Sequence, residues 1–343
     1  MNITTVGIDL AKSVFQVHGV DERGKVLLRK SVKRSELTKM FANLPMCLIG
    51  MEACGSAHYW ARRLMELGHT VKLMAPQFVK PYVKTNKNDA SDAEAICEAV
   101  ARPNMRFVPV KSVEQQAVLA VHRARQGFVV ERTAQANQIR GLLYELGIVI
   151  PKGIRHLEQH LPQILADAEN GLPETSRGLF ARLFAHLREL GAQVRELEQQ
   201  ISAWHRESEA SCRLEAIPGI GALTASALVA SVGDAKTFKN GRQLAAWLGL
   251  VPRQNSSGGK ERLLGISKRG DTYLRTLLIH GARAVLFHRM RQPQHSDGWL
   301  MRLRARRNPN VAAVALANKN ARMVWALLAH HREYCAGYAA AAA

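Results

Sequence analysis

Val6-Gly7-Ile8-Asp9-Leu10-Ala11-Lys12 is a short apolar run with a single carboxylate inside it. Val6 and Ile8 are β-branched and suit a strand. An aspartate in such a run is costly to bury unless something pairs with it, and a metal ion is the usual partner. The plainer alternative is a surface-facing aspartate near a strand end. The segments that follow decide between the two.

Ser13 to Val20 alternates as a second strand, Asp21-Glu22-Arg23-Gly24 is a turn signal, and Lys25 to Lys30 reads as a third strand. Tight turns between three strands make an antiparallel meander. A short helix is expected over Ser35–Leu44. Cys47-Leu48-Ile49-Gly50-Met51-Glu52 is then a second apolar run ending in a carboxylate. A helix (Ala57–Leu67), a strand (His69–Met74) and a helix (about Ser91–Ala101) complete the order βββαβαβα. That order belongs to the ribonuclease H-like fold, in which the fourth strand lies parallel beside the first. Asp9 and Glu52 would then sit side by side.

Asp89 and Asp92, in Lys87-Asn88-Asp89-Ala90-Ser91-Asp92-Ala93, are three residues apart and share a face at the start of a helix. Their bland reading is capping, with Asp89 as N-cap and Asp92 at N3. Taken with Asp9 and Glu52, the pair instead completes a set of four converging carboxylates. Such a set repels itself unless hard cations lie between its members. Two such ions can clamp a phosphodiester and stabilise both attacking and leaving oxygens.

Composition points the same way. Over 343 residues, Lys plus Arg total 48 and Asp plus Glu 28, a formal net charge of +20. That excess predicts a polyanionic partner, nucleic acid before a membrane surface. No run of about 18 apolar residues marks a spanning helix, and MNITTVGIDL carries no charged leader with an apolar core. The five cysteines are scattered with no CxxC pair, and the thirteen histidines show no metal-binding spacing. A reducing cytoplasm is the simplest setting.

Pro103 and Pro109 mark a domain boundary. Helix is expected from Ser112 to about Leu146, with Ser112-Val113-Glu114-Gln115 as its start signal. Residues 151–178, punctuated by Pro151, Pro162 and Pro173, read as irregular. Phe180, Leu183, Leu187, Leu190, Val194, Leu197, Ile201 and Trp204 then form a heptad seam. The seam either folds back on the preceding helix or crosses to another chain.

Pro218-Gly219-Ile220-Gly221 resembles the turn of helix-hairpin-helix modules, which offers backbone N–H groups to phosphate; an ordinary helix–helix turn is the alternative. Residues 251–275 surround Ser256, Ser257 and Ser267 with Arg253, Lys260, Arg262, Lys268, Arg269 and Arg275, interleaved with glycines. Serine in such a loop serves as a phosphate ligand or as a nucleophile toward phosphorus. The arginine-rich tail from Ala282 suits phosphate-backbone contact, in part at least, and Gly337-Tyr338 with five alanines reads as a frayed end.

With these markers in order, the chain resembles the DEDD-type transposases of bacterial insertion sequences, the insertion-sequence 110/1111 family, which includes the Piv-type DNA invertases. The quoted motifs carry the resemblance, joined by Met51-Glu52-Ala53-Cys54-Gly55, Leu248-Gly249-Leu250-Val251-Pro252, Ser257-Gly258-Gly259-Lys260 and Gly265-Ile266-Ser267-Lys268-Arg269-Gly270. It implies an α/β plus all-α chain in three parts. These are a RuvC-like catalytic domain (1–108), a helical coiled-coil middle (109–210) and a mainly helical C-terminal transposase domain (211–343). The family carboxylates fall on Asp9, Glu52, Asp89 and Asp92, holding Mg²⁺ or another divalent cation. The family serine falls on Ser257, which directly precedes the glycine pair, with Ser256 beside it.

The implied activity is site-specific DNA recombination through a serine-linked intermediate, guided by an element-encoded bridge RNA. The protein then reads backbone and shape while RNA pairing supplies sequence. Gly219, Gly221, Arg253, Lys260, Lys268 and Arg269 are the expected nucleic-acid contacts. DNA, guide RNA and further copies of the chain (a dimer or tetramer) are the expected partners, with no membrane, in the nucleoid-associated bacterial cytoplasm. Two alternatives compete: a metal-dependent junction nuclease in which Ser257 only binds phosphate, and a non-catalytic nucleic-acid-binding protein.

Overall fold

The computed structural model describes residues 2–84, 88–291 and 298–336. The chain divides into two compact units, Met1–Gln115 and Gln116–Ala343. The alanine-rich end from Gly337 lies outside the described residues, as does Lys87.

Unit 1 is built on β1 (Thr5–Asp9), β2 (Val14–Val20), β3 (Val26–Lys33), β4 (Leu48–Glu52), β5 (Thr70–Met74) and β6 (Phe107–Val108). They form one sheet in the order β3-β2-β1-β4-β5-β6. β1–β2 and β2–β3 pair antiparallel, so the expected meander is present. β4 lies parallel beside β1, with Ile8 opposite Met51. β6 adds a short antiparallel edge to β5 where the sequence suggests only a break.

The helices of unit 1 are α1 (Leu37–Ala42), α2 (Ala57–Glu66), α3 (Pro76–Val79) and α4 (Asp89–Val100). Strand side chains alternate between faces. Val6, Ile8, Ile49 and Met51 point to one face and pack with Leu37 and Phe41 of α1 and with Trp60 and Leu64 of α2. Gly7 and Gly50, in register on adjacent strands, point to the other. There α4 lies directly on the sheet. A Cβ on Gly7 would come within 2.2 Å of the Ala93 carbonyl oxygen and 2.4 Å of the Cys97 amide nitrogen. A Cβ on Gly50 would meet the Val100 Cβ at 2.7 Å. Two missing side chains therefore seat this helix.

At the end of unit 1, Ser112 and Gln115 form a reciprocal capping box: the Gln115 N–H donates to Ser112 Oγ at 3.0 Å and the Ser112 N–H to Gln115 Oε1 at 2.9 Å. It opens α5 (Val113–Glu145), close to the expected limits.

Unit 2 continues α5 and adds α6 (Ile154–Ala166), α7 (Glu174–Glu207), α8 (Glu209–Glu215), α9 (Ala222–Val232) and α10 (Gly241–Trp247). A small hairpin follows, β7 (Pro252–Gln254) with β8 (Leu263–Ile266), then α11 (Thr272–Met290), α12 (Trp299–Arg306) and α13 (Pro309–His330). Residues 151–178 are not irregular throughout, because α6 runs through Pro162. Proline forfeits one helical hydrogen bond. Burial of Leu157 and Leu161 against Ile139 and Leu143 of α5 and Phe180 of α7 offsets that loss.

Phe180, Leu187, Leu190, Val194 and Ile201 of the heptad seam are buried. Its first part packs on α5 within the chain, and Arg125 donates from Nε to Glu198 Oε1 at 2.9 Å. A second core gathers α8 to α13 around Leu228, Leu244, Leu278, Ala317 and Val324. No helix among the described residues is long and apolar enough to cross a membrane.

His122 of α5 is 1% exposed and lies between the Tyr273 and Ser226 hydroxyls, at 3.0 and 3.1 Å. Burial, aided by Arg125, pushes its pKa down to about 4. The folded chain thus keeps this imidazole neutral at pH values where the unfolded chain protonates it, near 6.5 and below. Stability from this residue is complete above pH 6.5 and declines as pH falls toward 4. Urea unfolding of unit 2 should lose about 2 kcal/mol between pH 7 and pH 5, and His122→Gln should flatten that dependence. An unchanged slope in the variant would assign the pH effect to other groups.

Candidate active site

Because side chains alternate along a strand, Asp9 shares the face of Gly7, and Glu52 that of Gly50. Asp9 ends β1 and Glu52 ends β4, one step beyond the Ile8–Met51 pair. α4 is seated by Ala93, Cys97 and Val100, so its first turn overhangs these strand ends. It carries Asp89 and Asp92. One carboxylate oxygen from each of Asp9, Asp89 and Asp92 lies within 4.8 Å of the others. Glu52 is not one of these three, yet it senses two of them. Burial first, then the charges of Asp9 and Asp92, hold its carboxyl above the usual range. The Cys54 thiol is raised by burial and by Glu52 and Asp9.

The capping expectation is corrected. Asn88, not Asp89, is the N-cap: its side chain accepts the Ala90 N–H at 3.0 Å. The helix begins at Asp89, two residues before the expected start. Asx side chains cap well at either position, so the sequence alone leaves the register open. With Asn88 in that role, neither aspartate is needed as the cap. A neutral cap also avoids adding a further charge to an already crowded acidic cluster.

The donor set fits a hard divalent cation. It is all oxygen, anionic and concentrated, a crowding of like charge that a bound cation relieves. Asp9, Asp89 and Asp92, with Glu52 beside them, are the residues that would hold one.

Ser257 occupies the tip of the β7–β8 hairpin, facing Lys260 in an isolated bridge, with the Lys260 N–H donating to the Ser257 carbonyl at 3.0 Å. Gly258 and Gly259 turn the chain at φ +55° and +76°, where a side chain would be strained. The two adjacent serines differ. Ser256 Oγ accepts from Gln254 Nε2 and from the Arg262 N–H, both at 3.1 Å, and so ties the hairpin together. Ser257 is exposed, and its hydroxyl has no hydrogen bond among the described residues.

Arg253, Lys260, Arg262, Lys268 and Arg269 are exposed around it. Arg275, grouped with them on sequence, is instead buried and donates to the Leu248 carbonyl at 3.1 Å and Thr272 Oγ1 at 3.1 Å. It holds the loop rather than facing solvent. Arg275→Met should therefore lower stability by about 2–3 kcal/mol, as for removal of charged hydrogen bonds, measurable by thermal unfolding; a change below about 0.5 kcal/mol, the scale of ordinary surface substitutions, would contradict this.

Gly219 and Gly221 lie in the turn between α8 and α9. Gly219, at φ +90°, lies against the backbone of Gly281 in α11, and its missing side chain admits that approach. Gly221 is exposed, with open space around it.

Comparison with known proteins supplies the class. Residues 6–148 match a sequence model of DEDD-type transposases, and residues 211–298 match the model described as Transposase IS116/IS110/IS902 family. The chain is 55% identical to a Pseudomonas aeruginosa protein named "Probable family 20 transposase", over 98% of this chain and 99% of that one. It is 47% identical to the transposase for insertion sequence element IS1111A of Coxiella burnetii, over 98% of this chain and 92% of the other. More distantly, it is 24% identical to the pilin gene-inverting protein of Moraxella bovis, over 84% and 85% of the two chains. These matches place it among the transposases, enzymes that cut and rejoin DNA. Within that class, the chain belongs to the IS116/IS110/IS902 family of insertion-sequence transposases.

Proposed function

We propose that the chain is a site-specific DNA recombinase that excises and inserts its own element through a serine-linked intermediate. The observation that carries this reading is the convergence within 4.8 Å of Asp9, at the end of β1, with Asp89 and Asp92, on a helix seated by Gly7 and Gly50. Strand order, with β4 parallel beside β1 and carboxylates at both strand ends, supports a ribonuclease H-like, RuvC-like unit. Beyond it we assign a helical middle part (109–210), with the α7 seam as its coiled-coil element, and a C-terminal transposase part (211–343).

Asp9, Glu52, Asp89 and Asp92 would hold Mg²⁺, which supplies charge neutralisation at the scissile phosphodiester. Ser257 Oγ attacks phosphorus: the Oγ–P bond forms, the bond from phosphorus to a deoxyribose oxygen breaks, and the hydroxyl proton passes to solvent or a base. The phosphoserine ester conserves bond energy, so the reverse attack by a deoxyribose hydroxyl rejoins strands without ATP. The free Ser257 hydroxyl, beside a Ser256 already engaged, favours Ser257 in this role. Arg253, Lys260, Lys268 and Arg269 would neutralise phosphate charge, and the Gly219–Gly221 turn would approach the backbone. The +20 charge suits DNA and a bridge RNA together, in an assembly of several copies.

The test is covalent trapping. Protein, element-end DNA, flanking RNA and Mg²⁺ are combined, denatured and analysed by mass. An adduct on Ser257 is expected, absent in Ser257→Ala and retained in Ser256→Ala. Free cleaved ends that persist undiminished in Ser257→Ala would leave a metal-dependent nuclease and remove the serine from the chemistry.

A further inference from the structure

Unit 1 holds an open cavity of about 830 Å³ on the side of the sheet that carries α1 and α2. Its wall includes Lys12 from the turn after β1, Lys33 and Arg34 at the end of β3, and Ser56, Tyr59 and Trp60 from the start of α2. Lys12 follows Asp9 by three residues and Ser56 follows Glu52 by four, so both turns leave the sheet at the strand ends that bear the carboxylates. We propose that this cavity binds a backbone phosphate of the nucleic-acid strand, with an adjacent base laid on Tyr59. The inference rests on unit 1 acting on nucleic acid, but its readout does not require cleavage.

Three observations point to an anionic ligand. The first is unmatched charge. The ion pairs seen among the described residues of unit 1 join Arg63 to Glu66, Lys84 to Glu94 and Glu98, and Arg102 to Glu98. None of these engages Lys12, Lys33 or Arg34. The Arg34 guanidinium is instead held over the Trp60 ring at 5.2 Å and the Phe15 ring at 5.7 Å, which fixes a cation in the wall.

The second is the start of α2, a ten-residue helix with no side-chain cap. Its N-cap, Ser56, adopts φ 66° and ψ −2°, a left-handed conformation that is uncommon for a residue with a side chain. The serine does not use its hydroxyl on the helix; the Ala57 N–H donates to the Cys54 carbonyl at 3.3 Å, and the Tyr59 N–H of the first turn remains for an anion.

The third is independent of both. Trp60 is only 4% exposed, and its indole Nε1–H is buried with no acceptor among the described residues. Buried donors are nearly always paired. An unmet donor in the wall of a cationic cavity fits a ligand that brings oxygen acceptors.

A strand suits the site better than a free anion. The cavity exceeds one phosphate in size. Tyr59 is 45% exposed and stands edge-on to Trp60, with centroids 5.1 Å apart, leaving an aromatic surface for a base. The bound phosphate would then fix the register of a strand running past the ends of β1 and β4.

The test uses the full chain carrying Asp9→Asn, so that bound strands stay intact. Short single-stranded oligonucleotides with one 5-iodouracil, in DNA and RNA forms, are irradiated with it and the linked peptide is mapped by mass spectrometry. An adduct on Tyr59 is expected. A DNA adduct assigns the cavity to the substrate strand, and an RNA adduct alone assigns it to an RNA partner; both support a nucleic-acid phosphate site. In parallel, Lys12→Gln with Arg34→Gln should weaken binding about tenfold and reduce the salt slope by about 0.7 for each phosphate no longer neutralised. Lys25→Gln with Lys30→Gln, equal in charge but outside the cavity, should leave the cavity phosphate bound and keep the steeper slope. If the double variant unfolds, Lys12→Gln alone carries the comparison, since that lysine is exposed. Adducts confined to other peptides, or equal slopes in the two sets, would overturn the proposal. Cleavage by the unmodified chain without a Tyr59 adduct refutes only the cavity; an adduct with no cleavage refutes only the catalytic reading.

Discussion

Asp9→Asn should lower strand cleavage by at least about 10²-fold, the usual scale for removing one group that stabilises transition-state charge, while DNA binding holds or tightens slightly. Asp9 is the one member of the close trio that the sheet itself positions, since Asp89 and Asp92 both arrive on α4. Its replacement keeps the shape and removes the charge that draws a cation toward the other two. It also relieves Glu52, whose carboxyl the Asp9 charge helps to hold high. Cleavage of labelled element-end DNA with and without Mg²⁺ is the measurement, with binding followed separately. Cleavage within a few-fold of the unmodified chain would show that the trio is a structural acidic patch.

Gly7→Ala should be nearly as damaging by a different route. The added methyl would lie 2.2 Å from one backbone atom of α4 and 2.4 Å from another, and backbone cannot swing aside as a flexible side chain does. Overpacking of this kind costs about 3 kcal/mol or more. α4 must lift from β1, taking Asp89 and Asp92 with it. Both the melting temperature and cleavage should therefore fall, cleavage even at temperatures where the chain stays folded. Gly50→Ala, opposed by the Val100 side chain at 2.7 Å, should follow in milder form. Gly141→Ala, in α5 with nothing within 4 Å, should instead stabilise by up to about 1 kcal/mol. A Gly7→Ala protein that melts and cleaves normally would mean that α4 is not fixed by its fit over that glycine.

The sheet was legible because its strands announce themselves by β-branched runs and tight turns, and the crossover from β1 to β4 follows from their spacing in chain order. Asp9 and Glu52 stand out because charge at the end of an apolar run is conspicuous, Asp89 and Asp92 because their spacing puts them on one helical face; the structure brings Asp9, Asp89 and Asp92 within 4.8 Å of one another. What seats α4 was not legible. The motif contains Gly7, but a side chain that is absent leaves no periodicity, and only the approach of another segment reveals why it must be absent. Asn88 and Asp89 are both good caps, so which one serves is settled by packing rather than local preference. Pro162 reads as a break until Leu157 and Leu161 are seen to be buried. Strands as short as Pro252–Gln254 carry too few residues for alternation to be read. Arg275 looked like its basic neighbours because a buried guanidinium that serves backbone carbonyls has no local signature.

The placement of the trio has a consequence for synthesis. Asp9 emerges from the ribosome early, whereas Asp89 and Asp92 come near the end of unit 1, on a helix that can settle only after β4 has paired with β1. Contacts so far apart in sequence form late. A growing chain that has not yet reached α4 would therefore carry Asp9 and Glu52 but no assembled cluster with which to cut DNA.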